Sequence, residues 1–274
     1  MSTAVWTNRL GLNSVADTAL KAAARFWFVV AVIGQWAFMY YIVAFYGTST
    51  FTGNFQAWSK NRGLFKGYVP GDTAGNLVFA SHALLAAVIA FGGAIQLIPW
   101  IRTRALAFHR WNGRLFFVTA SGLSLSGLYM NWVRGARADV VGAIATSLNA
   151  VLIFSCIGLA WRSVRAREIS SHRRWAVRTY LLANAQWFIR IGVVACFIIN
   201  RGQVGMTKSF FYFADFACYL LPLFLLELYL CVKDRASPSG QFAMAGVLVV
   251  FTLFMAVGIF GFYMFTRPLL QAMK

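Results

Sequence analysis

Apolar residues in this chain gather in blocks of about twenty, separated by short clusters of charge, Gly, Pro and Asn. Seven blocks stand out, at 26–46, 77–100, 114–133, 140–161, 179–199, 210–231 and 241–265. As a helix, such a block covers the ~30 Å hydrocarbon layer of a bilayer at about 1.5 Å per residue. The pattern predicts an all-α fold, a polytopic transmembrane helical bundle of about seven spans. Residues 1–25 read as a partly amphipathic lead-in, with Leu10, Val15, Leu20 and Phe26 between polar positions, and the apolar run after them is too long for a signal peptide. Residues 26–274 then form a single transmembrane domain. Its longest connection, 47–76, carries Phe51, Phe55, Trp58 and Tyr68, and is either a cap over the bundle or an ordered interfacial loop.

Composition agrees. Of 274 residues, 60% are hydrophobic and only 12% charged, with a mean hydropathy of +0.66, where a soluble domain carries about 25% charge. The net charge of +18 would suggest nucleic acid in a soluble protein, but its distribution explains it as topology. Fifteen Lys and Arg fall in the segments on the N-terminal side and nine on the other, with Arg190 alone inside a span. The positive-inside rule therefore predicts a cytoplasmic N-terminus, in a bacterial inner membrane, with no nucleic-acid partner. The four cysteines lie in or beside apolar blocks without CxxC spacing, as small hydrophobes do.

Two of the three histidines sit in similar clusters, "LAFHRWNGRLFF" (106–117) and "ISSHRRWAVRTY" (169–180), each opening a span in the same direction. Together with His82, Gly92, Gly93, Gln96, Pro99, "SGLY" (126–129) and the lone Arg190, they make residues 82–190 resemble a bacterial family of uncharacterised multi-pass membrane proteins. The resemblance implies a four-helix core of spans two to five with added spans. It marks His82, His109, Arg110, Gly113, Arg114, His172, Arg173 and Arg190 as distinctive, and it brings no activity. In layout only, the arrangement also looks like four-helix diheme b-type cytochromes.

A bis-histidine heme b needs two imidazoles at one depth and basic groups for its propionates. His109 and His172 are the candidate iron ligands, with Arg110, Arg114, Arg173, Arg174 and Arg178 beside them. Three histidines do not supply a diheme wire, and both clusters begin at the headgroup level. An interfacial belt, with Trp111 and Trp175 as anchors and arginines on lipid phosphates, uses the same residues. So does a quinone, whose carbonyl a histidine can hold while arginines take acidic groups.

Charges inside hydrocarbon are costly unless partnered. On a straight fifth span, His172, Thr179, Gln186 and Arg190 form one polar stripe, with Asp215 the expected partner of Arg190. Glu227 is expected to meet Arg178 or Arg174, and His82 shares an interior face with Gln96 and can face Asn149 across the core. No Gly/Pro-broken helix pair marks a transporter, and no GxxxxGK[ST], HExxH or GxSxG motif marks nucleotide-driven or hydrolytic chemistry. The leading expectation is a membrane protein holding a redox cofactor, heme b or quinone, near its cytoplasmic side through His82, His109, His172, Arg110, Arg114, Arg173, Arg178 and Arg190. The other is a non-catalytic accessory subunit that binds a partner complex and anionic lipid.

Overall fold

The computed structural model describes the backbone of residues 3–60, 67–136, 139–202 and 207–271, and side chains of 13–59 and of the later three segments. Leu10 of the lead-in, and Arg9, Lys60, Arg62, Lys66, Arg137 and Lys274 of the charge count, lie outside the described side chains. The described residues form α1 (Thr3–Ile42), α2 (Thr48–Phe51), α3 (Thr73–Gln96), α4 (Pro99–Arg104), α5 (Leu106–Trp132), α6 (Val140–Arg165), α7 (Ile169–Ala183), α8 (Ala185–Ile199), α9 (Lys208–Arg235) and α10 (Pro238–Gln271), and no strand. A π turn, Val43–Gly47, continues α1 into α2, and a 3₁₀ turn covers Phe55–Lys60. The lead-in is thus the start of the first long helix rather than a separate element.

Five helical stretches are long and apolar enough to cross a membrane, and the bent pair α7–α8 makes a sixth. The remaining candidate, α5, is 27 residues long, about 40 Å at the α-helical rise. Thr119, Ser121, Ser124, Ser126 and Asn131 dilute its apolar character. The helices also outrun the apolar blocks. α5 begins at Leu106 and α7 at Ile169, which puts His109 and His172 on helical turns rather than in loops.

Three helices that start on the side of the 47–76 loop, here the loop face, are capped by side chains that satisfy first-turn amides. Asp72 accepts from Gly75 N at 2.9 Å, Asp139 from Gly142 N at 2.6 Å and Thr207 from Phe210 N at 3.2 Å. The opposite, arginine face gathers the α4, α6–α7 and α9–α10 junctions. α1 packs on α3 and α10, α3 on α5, α5 on α6, α6 on α7 and α8 on α10, which closes a ring, with α9 against α6, α7 and α8.

Small residues bring the helices close where association relies on packing rather than on the hydrophobic effect. A Cβ on Gly258 of α10 would collide with the Ile191 backbone carbonyl of α8, and one on Gly34 of α1 with Ile259 and Trp187. Tyr180 of α7 donates its hydroxyl to Gln35 Oε1 of α1 at 2.8 Å, and Gln35 is 0% exposed. Such a bond contributes about 0.5–2 kcal/mol in a membrane. α7 and α8 meet at a 57° bend. The bend sits at Asn184, whose amide donates to Tyr180 O at 2.8 Å, while Asn149 of α6 donates to Leu182 O at 3.3 Å. Carbonyls released by the bend are thus bonded inside the bundle, as hydrocarbon requires.

Gly258→Ala should lower the melting temperature of the detergent-purified protein by several degrees. Gly246→Ala, on the same helix with nothing within 4 Å of the added carbon, should leave it unchanged. Equal effects of the two would mean that the α8–α10 contact is not close-packed.

Candidate functional site

Inside the ring and toward the loop face lies a cavity of about 460 Å³. Its walls come from every long helix and include Tyr41 of α1, Tyr46 of the π turn, His82 of α3, Ser124 and Asn131 of α5, Asn149 of α6, and Gln186 and Arg190 of α8. Aromatic rings of Phe38, Phe79, Phe211, Phe262 and Phe265 supply much of the rest. A largely apolar chamber with a few converging polar groups is the common form of a small-molecule site, and 300–1,000 Å³ is the usual range.

The polar groups are unevenly satisfied. His82 Nδ1 is 2.7 Å from Ser126 Oγ, and that hydroxyl lies 3.1 Å from Leu123 O as donor. With the Ser126 proton so committed, His82 donates through Nδ1 and keeps Nε2 as an acceptor. Arg190 donates to the Gln186 carbonyl and, at 3.3 Å, to Gln186 Oε1, and its guanidinium lies 5.6 Å from the Phe38 ring centroid. These partners, rather than Asp215, occupy it. The straight stripe from His172 to Arg190 is also cut by the bend, with His172 and Thr179 on α7 and Gln186 and Arg190 on α8. Asn131, 7% exposed, has no hydrogen-bond partner on either amide atom, and Asn149 has none on Oδ1. Buried polar atoms in native proteins are nearly always bonded, and each one left open costs about 1–3 kcal/mol.

The loop face of the cavity is closed by the 47–76 connection. Trp58, 2% exposed, lines the cavity and donates its indole N–H to Ser49 Oγ at 3.0 Å. Its ring packs against Phe55, Tyr68 and Phe79 at centroid distances of 5.2, 6.4 and 5.3 Å. Arg134, just past α5, anchors the cap. Its side chain is 4% exposed and reaches Asp72 Oδ2 at 2.8 Å, Gly67 O at 2.9 Å and Asn76 Oδ1 at 2.7 Å. Gly75 leaves the room for this knot, since a Cβ there would strike Asp72 Oδ2 and Arg134 Nε. Of the two readings of the loop, the cap over the bundle is the one the geometry presents. The π turn at Val43–Gly47 also borders the cavity, through Tyr46, and such turns are frequent at functional sites.

Of the eight sequence-predicted site residues, His82 and Arg190 line this cavity, and Asn149 lines it as well. The other six lie at the arginine face. His109 and Asn131, both on α5, are 22 positions apart, about 33 Å along the helix. His109 and His172 do come within electrostatic reach of each other, in a group with Arg102, Arg110 and Arg173. Burial first, then these charges, holds His109, ahead of the apolar stretch of α5, below the ordinary imidazole range. His172 donates Nδ1–H to Ala160 O at 2.9 Å, leaving Nε2 as its free ring nitrogen, while His109 Nδ1 is buried without a partner. Arg178 grips Glu227 with two bonds of 2.7 Å, as expected. Arg114 and Arg178 stack on Trp111 and Trp175 at 4.9 and 4.6 Å, and Trp111 is 68% exposed, which is the geometry of an interfacial belt. Among the described residues no group of three or more His, Cys, Asp or Glu is placed to hold a metal ion.

Comparison with known proteins gives one family. Residues 79–230 match the family model described as "Predicted membrane protein (DUF2306)". That is more than half of the chain, which belongs to this family of membrane proteins. No curated protein and no solved structure matches.

The cap makes its anchor pH-dependent in one direction. The Arg134 hydrogen bond, then the Gly75 amide, holds the Asp72 carboxyl below the usual carboxylate range. A depressed carboxylate contributes stability that is full above its unfolded pKa and disappears as pH falls through the folded value. The melting temperature should therefore drop on acidification below about pH 4, and Asp72→Asn should lower it at neutral pH and flatten that drop. An unchanged profile in Asp72→Asn would assign the acid sensitivity elsewhere.

Proposed function

We propose that this multi-pass protein, a DUF2306 member in a bacterial inner membrane, binds a lipid-soluble quinone in the cavity beneath the 47–76 cap. The carrying observation is Asn131, whose donor and acceptor are both open toward a cavity that also offers a donor at Arg190 and an acceptor at His82. A quinone carbonyl accepts from the Asn131 amide or the guanidinium, and a quinol hydroxyl donates to His82 Nε2 or Asn131 Oδ1. The aromatic walls suit a planar ring. The ring of helices faces lipid, from which a tailed molecule is drawn. Among the lining residues His82 is the only imidazole, so this chamber favours a quinone over a bis-histidine heme.

The redox-cofactor site thus moves from the arginine face, where His109 and His172 pointed, to the loop-face half of the bundle. There a cavity and unbonded polar atoms coincide. With the N-terminus in the cytoplasm, this is the half away from the cytoplasm.

Organic extraction of the purified protein, followed by chromatography, should recover quinone near one equivalent. Asn131→Leu keeps the shape and removes the amide, and should weaken quinone binding by about tenfold or more. In the empty protein it should raise stability by about 1–3 kcal/mol, because a buried unbonded amide is gone. No quinone in the extract, or an Asn131→Leu protein that is less stable when empty and binds as before, contradicts the assignment.

A further inference from the structure

The cavity is graded along its length. Asn131 stands next to the loop-face end of α5, while His82 of α3, Asn149 of α6 and Arg190 of α8 each lie nine residues in from the loop-face end of their helices, about 13 Å deep. Below that level the wall turns to alanine. Ala83 and Ala86 of α3, Ala120 of α5, Ala150 of α6 and Ala183 at the end of α7 all line the cavity, with Ile153 of α6 beside them. Ala120 is eleven positions from Asn131, about 16 Å along the α5 face that borders the cavity.

Small side chains meeting from four helices leave a slot that leucines at the same positions would close. The polar side chains at its edge are turned to the protein: Ser124 donates to Ala120 O at 2.9 Å, and Gln186 Oε1 accepts from Arg190 at 3.3 Å. An apolar void holds no stable water and accepts an aromatic ring. An ether oxygen placed there instead gives up its water bonds. Asn131, 7% exposed and unbonded at both amide atoms, lies at the opposite end. A ligand that fills this cavity therefore needs one polar end and one flat apolar end.

We propose, resting on the quinone reading of the cavity, that the quinone is a naphthoquinone whose fused carbocyclic ring occupies the alanine-lined end, in preference to a dimethoxy-benzoquinone. The fused ring and the tail leave opposite edges of the quinone ring, so the tail stays clear of the slot. The five alanines set this preference by the space they leave.

Competition for the full-length, lipid-depleted protein between a decyl-tailed naphthoquinone and a decyl-tailed dimethoxy-benzoquinone tests it, with the bound fraction quantified by chromatography. The naphthoquinone should bind about tenfold or more tightly. Ala86→Leu should weaken naphthoquinone binding and narrow that gap, while Ala243→Leu, exposed on α10 and away from the cavity, should leave it unchanged. Equal binding of the two quinones by the wild-type protein, or preference for the benzoquinone, overturns the fused-ring assignment and leaves the quinone reading standing. So does a preference that Ala86→Leu protein keeps in full. Binding of neither quinone by the wild-type protein overturns both. The wild-type competition decides the matter even if Ala86→Leu fails to fold.

Discussion

Hydrocarbon offers no hydrogen bonds, so a polar group that this chain carries into its spans is stabilised by a partner among its own helices or by facing the cavity. Most find one. Gln35 takes the Tyr180 hydroxyl, Asn184 and Asn149 take the carbonyls of the bent span, and Ser126 takes His82. Among the described residues some atoms stay unbonded elsewhere, Gln35 Nε2 and the Tyr219 hydroxyl among them, and those that border the cavity are on Asn131 and the free oxygen of Asn149. Satisfied polar groups fix the ring of helices, and the open amide atoms of Asn131 and Asn149 are the ones the proposed quinone meets.

The same constraint explains the irregular backbone. A 57° bend in a span exposes carbonyls, and it is tolerated because Asn149 and Asn184 cover them from inside. The bend turns α8 against α10, and the contact needs the bare Cα of Gly258. It also swings Gln186 and Arg190 into the cavity wall. On the loop face, Arg134 ties the ends of α3 and α5 to the cap and holds Trp58 over the chamber. Bend, close packing and cap are therefore parts of one enclosure.

The helices and their order were legible because blocks of twenty apolar residues leave little choice. So were Arg178 with Glu227 and the shared interior position of His82 and Asn149, which need only helical spacing and topology. The stripe from His172 to Arg190 was not, because a 100° projection assumes a straight helix, and Asn184 breaks it with neither Gly nor Pro. Arg134 read as one charge among the nine of its side, since nothing in a sequence shows that a loop folds back onto it. Asn131, in "LYMNW", was the missed signal: an amide near the end of a span that was already the most polar of the seven. The two His-Arg clusters drew attention through residue type, yet Arg174 and Arg178 pair with acids of α9, and Arg114 and Arg178 stack on Trp111 and Trp175.

The central claim is that the cavity beneath the cap binds a quinone through Asn131. The most direct measurement is a high-resolution cryo-EM map of the wild-type protein extracted into nanodiscs with its native lipid. The account predicts planar density between His82, Asn131 and Arg190, within hydrogen-bond distance of the Asn131 amide, with a tail leading toward lipid. A chamber collapsed so that Asn131 bonds to its neighbours, or filled only by ordered water on those same atoms, would contradict it.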